Sequence, residues 1–134
     1  MKRDTKTAVD KLLTMACHDS EVLAVLLFGS VARGERTPGS DIDVCLVLVP
    51  QSTAYTGTYL SRKRLKYLAH FDLDVQLFQQ LPLYVRKRVL KEGRVLFVRD
   101  EDLRYAVAFR TIQAYEDFKP IYSYYLEQVA HGGS

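Results

Sequence analysis

Cysteine and histidine are scarce in this sequence, and no apolar run is long. Two cysteines and three histidines are spread over 134 residues. Cys17 and Cys45 lack metal-ligand spacing and the histidines are scattered, which argues against a zinc centre. Two cysteines also make no disulfide framework. Both are expected as reduced core residues of a cytoplasmic protein, one in a helix and one in a buried strand. No apolar stretch approaches the ~20 residues of a membrane span. Met1-Lys2-Arg3-Asp4 leads into no apolar signal segment. Repeats and linkers are missing as well, and neither sign of charge is in large excess. A net charge of +3 favours anionic ligands only weakly and gives no reason to expect stable nucleic-acid binding.

What is present is the composition of a globular domain: 48% hydrophobic and 26% charged residues. The length suits one domain, residues 1–134, with a sizeable core.

The chain is organised around Leu26-Leu27-Phe28-Gly29-Ser30 and Ser40-Asp41-Ile42-Asp43-Val44. Val22 to Phe28 has almost no polar side chain, as expected of a strand buried on both faces. Gly29 interrupts it and lets backbone or ligand approach closely. Ser30 stands where an N-cap would, ahead of Val31-Ala32-Arg33, so its hydroxyl and the first free amides of a helical turn would form an anion site. Arg33 and Arg36 add positive charge. Pro38-Gly39-Ser40 turns the chain into a second strand, Ile42 to Val49. Strand alternation places Asp41 and Asp43 on one side, about 6.5 Å apart at their Cα atoms. Two carboxylates facing a phosphate-binding turn suit hard, oxygen-ligated Mg²⁺ on a nucleoside triphosphate. Gly-Ser alone or Asp-x-Asp alone would describe an acidic surface hairpin; the ordered pair on adjacent buried strands is far more specific.

These residues resemble a known family. Gly29-Ser30, ten intervening residues, then Asp41-x-Asp43 is similar to the signature of the DNA polymerase beta-like nucleotidyltransferases. The longer string Gly29-Ser30-x-Ala32-Arg33-Gly34 with Ser40-Asp41-Ile42-Asp43 most resembles the minimal nucleotidyltransferases, the antitoxin half of HEPN/MNT toxin–antitoxin pairs. The resemblance implies AMP transfer from ATP, with Gly29 and Ser30 holding the β- and γ-phosphates and Arg33 and Ser40 completing the nucleotide site. It implies Asp41 and Asp43 as Mg²⁺ ligands, and a second ion shared with a third carboxylate. The expected fold is α/β of the α+β type, a mixed sheet of about four strands flanked by helices, with a long C-terminal helical region kinked near Pro120.

The rest of the chain can be read around this signature. Residues 4 to 18 predict a helix with Val9, Leu12, Leu13 and Ala16 inward. Pro50 ends the second strand and residues 51–58 read as a loop. Tyr59 to Ala69 predicts a helix with Leu60, Leu65 and Leu68 inward. Its basic run Arg62, Lys63, Arg64 and Lys66 reads as a solvated face, with an electrostatic funnel for nucleotide or RNA as the alternative. Phe71 to Phe78 alternates like a strand, with Asp72, Asp74 and Gln76 on one face. The third carboxylate is Asp72 or Asp74; Asp74 matches the family spacing better, and it could instead take a proton. Pro82 opens a helix whose Arg86, Lys87, Arg88 and Lys91 read as solvated, and Gly93 is a candidate left-handed C-cap. Residues 94–98 predict an edge strand.

Asp100 is placed to N-cap the last helix, with Leu103, Val107, Ala114 and Phe118 packed inward. Tyr115, Tyr122, Tyr124 and Tyr125 are too many tyrosines for one core face, and tyrosine is enriched at interfaces. This segment reads as a docking surface in a hetero-oligomer, with ordinary packing on the domain as the alternative. Residues 131–134 are expected to be disordered. The resemblance implies that the partner is a HEPN RNase toxin carrying the acceptor tyrosine. Two other functions stay open: an antidote that masks the toxin by binding alone, and a transferase acting on a small molecule or an RNA end.

Overall fold

A computed structural model describes residues 3–29, 43–71 and 73–132. Four strands form one mixed sheet in the order β3-β2-β1-β4. They are β1 (Val22–Phe28), β2 (Asp43–Leu48), β3 (Asp74–Leu77) and β4 (Arg94–Val98), with helices α1 (Arg3–Cys17), α2 (Gly57–His70), α3 (Leu83–Glu92) and α4 (Glu101–Gly132) around them. β1 is antiparallel to both β2 and β4, while β2 and β3 run parallel. This is the expected mixed sheet flanked by helices.

β1 is central and its side chains are buried on both faces, which explains why it reads as an uninterrupted apolar run. One face packs Val25, Leu27, Val44 and Leu46 against Leu12 of α1 and Leu60 and Tyr67 of α2. The other packs Leu23, Leu26, Cys45 and Val47 against Val89 of α3, with Leu103 and Val107 of α4 at its border. β3 is short, and a side chain extends the pairing beyond it: Gln79 accepts from the Leu48 amide at 3.1 Å and donates to its carbonyl at 2.9 Å.

Several helix ends match their sequence signals. The Tyr59 amide donates to Thr56 Oγ1 at the start of α2, and the Leu103 amide donates to Asp100 Oδ1 at the start of α4. Pro82, expected as the first helical residue, stands one position earlier, just outside α3 and without a side-chain capping bond. Pro120 lies inside α4, which is bent along its length and continues past the proline.

Other expectations are corrected. Leu65 is 64% exposed, and the inward residues of α2 are Leu60, Lys63 and Tyr67. Five residues past Leu60, Leu65 is rotated about 140° from the buried face. Gly93 is no left-handed cap: its φ is −69°, and a Cβ there would meet the Val89 carbonyl oxygen at 2.4 Å. Close backbone approach, not a positive φ, is what calls for glycine. Cys17 is exposed, and only Cys45 belongs to the core. Ala114 and Phe118 are exposed because α4 leaves the sheet beyond buried Thr111. Residues 131 and 132 continue α4 where disorder was expected.

The basic runs are less solvated than they read. Lys63 is buried, Arg64 is half-buried, and on α3 both Arg86 and Lys87 are half-buried. Burial holds the Arg86 guanidinium below its usual pKa. No helix among the described residues is long and apolar enough to cross a membrane.

Candidate functional site

The sheet register brings two acidic side chains together. Asp43 opens β2 and Asp74 opens β3, and the two are direct partners across the parallel pair. Neighbouring strands lie about 4.8 Å apart, and partners in register project to the same face. On its other side Asp43 is paired with Phe28, the last residue of β1. Gly29 follows with φ at +85°, a conformation that glycine adopts without strain. A Cβ built on Gly29 would sit 2.5 Å from Asp43 Oδ2. The bend therefore folds the backbone directly against a carboxylate, and a side chain at position 29 would collide with it.

Asp74 has one hydrogen-bond donor and one cation beside the same oxygen. Gln76 Nε2 donates to Oδ1 at 2.9 Å. The Arg64 guanidinium lies 3.7 Å from the same Oδ1 and donates from Nε to the Val75 carbonyl at 2.7 Å. Arg64 belongs to the basic run that sequence reasoning assigned to solvent. Nothing local distinguishes it from Arg62; only the docking of α2 beside β3 does. Gln76 was legible as a same-face neighbour of Asp74 through strand alternation.

Of the expected site residues, Gly29, Asp43 and Asp74 are thus assembled at one end of the sheet. Ser30, Arg33, Ser40 and Asp41 lie outside the described residues, as does Asp72. Among the described residues no group of three His, Cys, Asp or Glu side chains converges. The donor set that is described consists of two adjacent carboxylates. Hard oxygen donors of this kind fit Mg²⁺.

The tyrosine-rich segment separates into two environments. Tyr115 is half-buried with Lys87 Nζ 4.1 Å from its ring centroid, so part of it is spent on the domain itself. Tyr124 and Tyr125 are exposed beside exposed Ile121, Leu126 and Val129. The Tyr122 side chain lies outside the described atoms.

A second polar cluster occupies the opposite end of β1. Lys63 Nζ lies 2.7 Å from both Asp19 Oδ2 and Glu21 Oε1. Tyr67 donates its hydroxyl to Asp19 at 2.9 Å, and Tyr59 donates to Glu21. Burial disfavours ionised Asp19, yet the hydrogen bonds from Lys63 and Tyr67 outweigh it and hold the carboxyl below its usual range. Burial likewise disfavours charged Lys63, and the two carboxylates reverse this and raise it. Arg99 closes the end of α1 by donating to the carbonyls of Ala16, Cys17 and Asp19. An open cavity of about 430 Å³ beside Glu21, Tyr55 and Tyr59 is at this end.

Comparison with known proteins agrees with this geometry. Residues 10–102 match the family model described as polymerase beta, nucleotidyltransferase. A Methanocaldococcus jannaschii protein assigned as a protein adenylyltransferase is 38% identical over 78 residues, 58% of this chain and 57% of that protein. The match therefore spans little more than half the length of that relative. Among solved structures, a chain of a toxin–antitoxin complex with AMP-PNP superposes with a TM-score of 0.66 at 21% identity, covering 93% of this chain and 98% of that one. A chain from the complex of a tri-AMPylated Shewanella oneidensis HEPN toxin with its MNT antitoxin gives a TM-score of 0.63 at 19% identity, over 97% and 99% of the two chains. At these identities the structural likeness speaks for the fold.

Proposed function

This chain belongs to the polymerase beta nucleotidyltransferase family, and on that premise we propose that it is an antitoxin that transfers AMP from ATP to a tyrosine hydroxyl of a HEPN toxin. Residues 1–134 would act as a single minimal nucleotidyltransferase domain in the cytoplasm. The observation that carries the reading is the in-register pair Asp43 and Asp74 beside the Gly29 bend. The name of the M. jannaschii relative and the toxin–antitoxin complexes of the same fold supply the reaction and the class of partner.

Asp41, Asp43 and Asp74 would hold Mg²⁺, in one or two sites. When bound, the metal offsets the charge of the triphosphate and of the oxygens entering and leaving phosphorus. Gly29 and Ser30 would present backbone amides to the β- and γ-phosphates, with Arg33 and Ser40 as further nucleotide contacts. The tyrosine oxygen attacks the α-phosphorus, the bond to the β-phosphate bridging oxygen breaks, and pyrophosphate leaves. A tyrosine near its usual pKa of about 10 is a weak nucleophile at neutral pH. The acceptor therefore has to lose its proton as it attacks. A partner that brings its own tyrosine also supplies part of the acceptor recognition.

The exposed apolar residues of α4, among them Ile121, Tyr124, Tyr125 and Leu126, favour a docking role for that helix. They also support a second reading, an antidote that masks the toxin by contact alone. Incubating the chain with the product of the neighbouring gene, ATP and Mg²⁺ separates the two. Adenylylation predicts a mass gain of AMP on a partner tyrosine, and loss of protection in a folded Asp43→Asn variant that still binds. An unmodified authentic partner, with Asp43→Asn still protective, would leave masking as the function.

A further inference from the structure

Asp74 is the first residue of a short strand at the sheet edge, paired on one side only. A side chain in that position has few neighbours to set its torsions, yet two groups reach it, and both reach the same oxygen. Gln76 shares its face of the strand and donates to Oδ1 at 2.9 Å. Arg64 comes across from α2, anchors its Nε on the Val75 carbonyl at 2.7 Å, and brings its terminal nitrogen to 3.7 Å from Oδ1. Among the described residues no donor is seen on Oδ2.

As a stability device this arrangement is small. The Arg64 and Asp74 side chains are 35% and 41% exposed, and ion pairs at such sites add little to stability. Its effect falls on direction instead. One hydrogen bond and one nearby guanidinium, both on Oδ1, bias the rotation of the carboxylate about its last torsion and leave Oδ2 as the oxygen that can meet a cation.

We propose that Gln76 and Arg64 are positioning residues that hold Asp74 as a one-oxygen ligand, through Oδ2, for the divalent metal of the nucleotide site. This rests on the function proposed above. It adds two residues to the site and narrows what Asp74 does there. Groups that orient a metal ligand typically change metal affinity by about 10–100-fold when removed.

The test reads metal binding, not turnover. Mn²⁺ is titrated into the full chain with AMP-PNP and bound ion is counted by electron paramagnetic resonance. Gln76→Leu removes one donor, and Arg64→Gln removes the cation while keeping a polar side chain. Each is expected to weaken Mn²⁺ binding by about tenfold or more. The melting temperature and the affinity for AMP-PNP in the presence of EDTA should stay near wild type, which a merely structural role would not give. Gln76→Glu places a like charge against Oδ1 and should weaken binding further. Wild-type Mn²⁺ affinity in both Gln76→Leu and Arg64→Gln overturns the proposal. Asp43→Asn tells the two failures apart. If it loses Mn²⁺ while those two variants keep it, only the positioning role falls. If it binds Mn²⁺ like wild type, the metal centre falls and the positioning role with it.

Discussion

The two ends of β1 carry acidic residues in opposite circumstances. Before β1, Asp19 and Glu21 share the ammonium group of Lys63 at 2.7 Å each, and two tyrosines add hydrogen bonds. After it, Asp43 and Asp74 stand side by side in register, and the Arg64 cation keeps 3.7 Å from Asp74. One end is an internally satisfied network. The other sets two carboxylates next to each other, an arrangement that a bound cation would stabilise. The distinction teaches that acidic residues near a strand end become informative once their partners are counted. A carboxylate cluster tied into a buried ion-pair network holds the fold together; two carboxylates set side by side against a glycine bend form a donor set for a cation.

The sharpest way to break this comparison is to remove one charge at each end. Asp43→Asn should lower transfer activity at least about a hundredfold, since the stabilisation a metal gives is worth several kcal/mol. Its melting temperature should change far less than that of a variant at the other end. Lys63→Met should do the reverse. It strands Asp19 and Glu21 beside an apolar core, where removing one partner of a buried pair costs about 3–5 kcal/mol. The two carboxylates are 15% and 30% exposed, so about 2–4 kcal/mol is expected in urea unfolding, with activity per folded molecule retained. Equal activity losses in the two variants would abolish the distinction.

Gly29→Ala tests the other component of the open end. The new methyl group would meet Asp43 Oδ2 at a backbone φ of +85°. A loss of about 1–2 kcal/mol in stability is expected, together with weaker nucleotide binding measured by calorimetry.

The smallest effect is in the pH dependence of stability. Asp19 and Glu21 have folded pKa values below their usual 3.8 and 4.5. Their contribution is complete above those values and is lost as pH falls through the lower, folded ones. Urea midpoints between pH 3 and 7 should therefore fall more steeply below pH 4.5 in wild type than in Lys63→Met, where Lys63 no longer favours the ionised carboxyls.

How far the sequence can be read follows the same division. β1 and β4 were legible to the residue, since an apolar run bounded by turn residues depends only on local pattern. Strand alternation put Asp74 on one face with Asp72 and Gln76, in a strand read as Phe71 to Phe78 and found as Asp74–Leu77; its register against Asp43 comes from the tertiary pairing. Lys63, Arg64 and Arg99 were not legible. Each looks like an ordinary surface cation, and its role depends on which distant carboxylate or carbonyl the tertiary fold delivers to it. The inward face of α2 was misread for a related reason: Lys63 takes a buried position that a hydrophobic pattern would never assign to it. For Ser30, Arg33, Ser40 and Asp41 the sequence signature is the whole of the argument.

The contrast between the two thiols gives this chain an internal gauge. Cys45 sits in the middle of β2 with its sulfur sealed between sheet and helices, and burial pushes its pKa up to about 12. Cys17 is open to reagent at the last turn of α1. An alkylating agent will therefore mark Cys17 at once and Cys45 only when the sheet comes apart. The delay between the first and second mark times the opening of the domain, and a bound nucleotide should lengthen it.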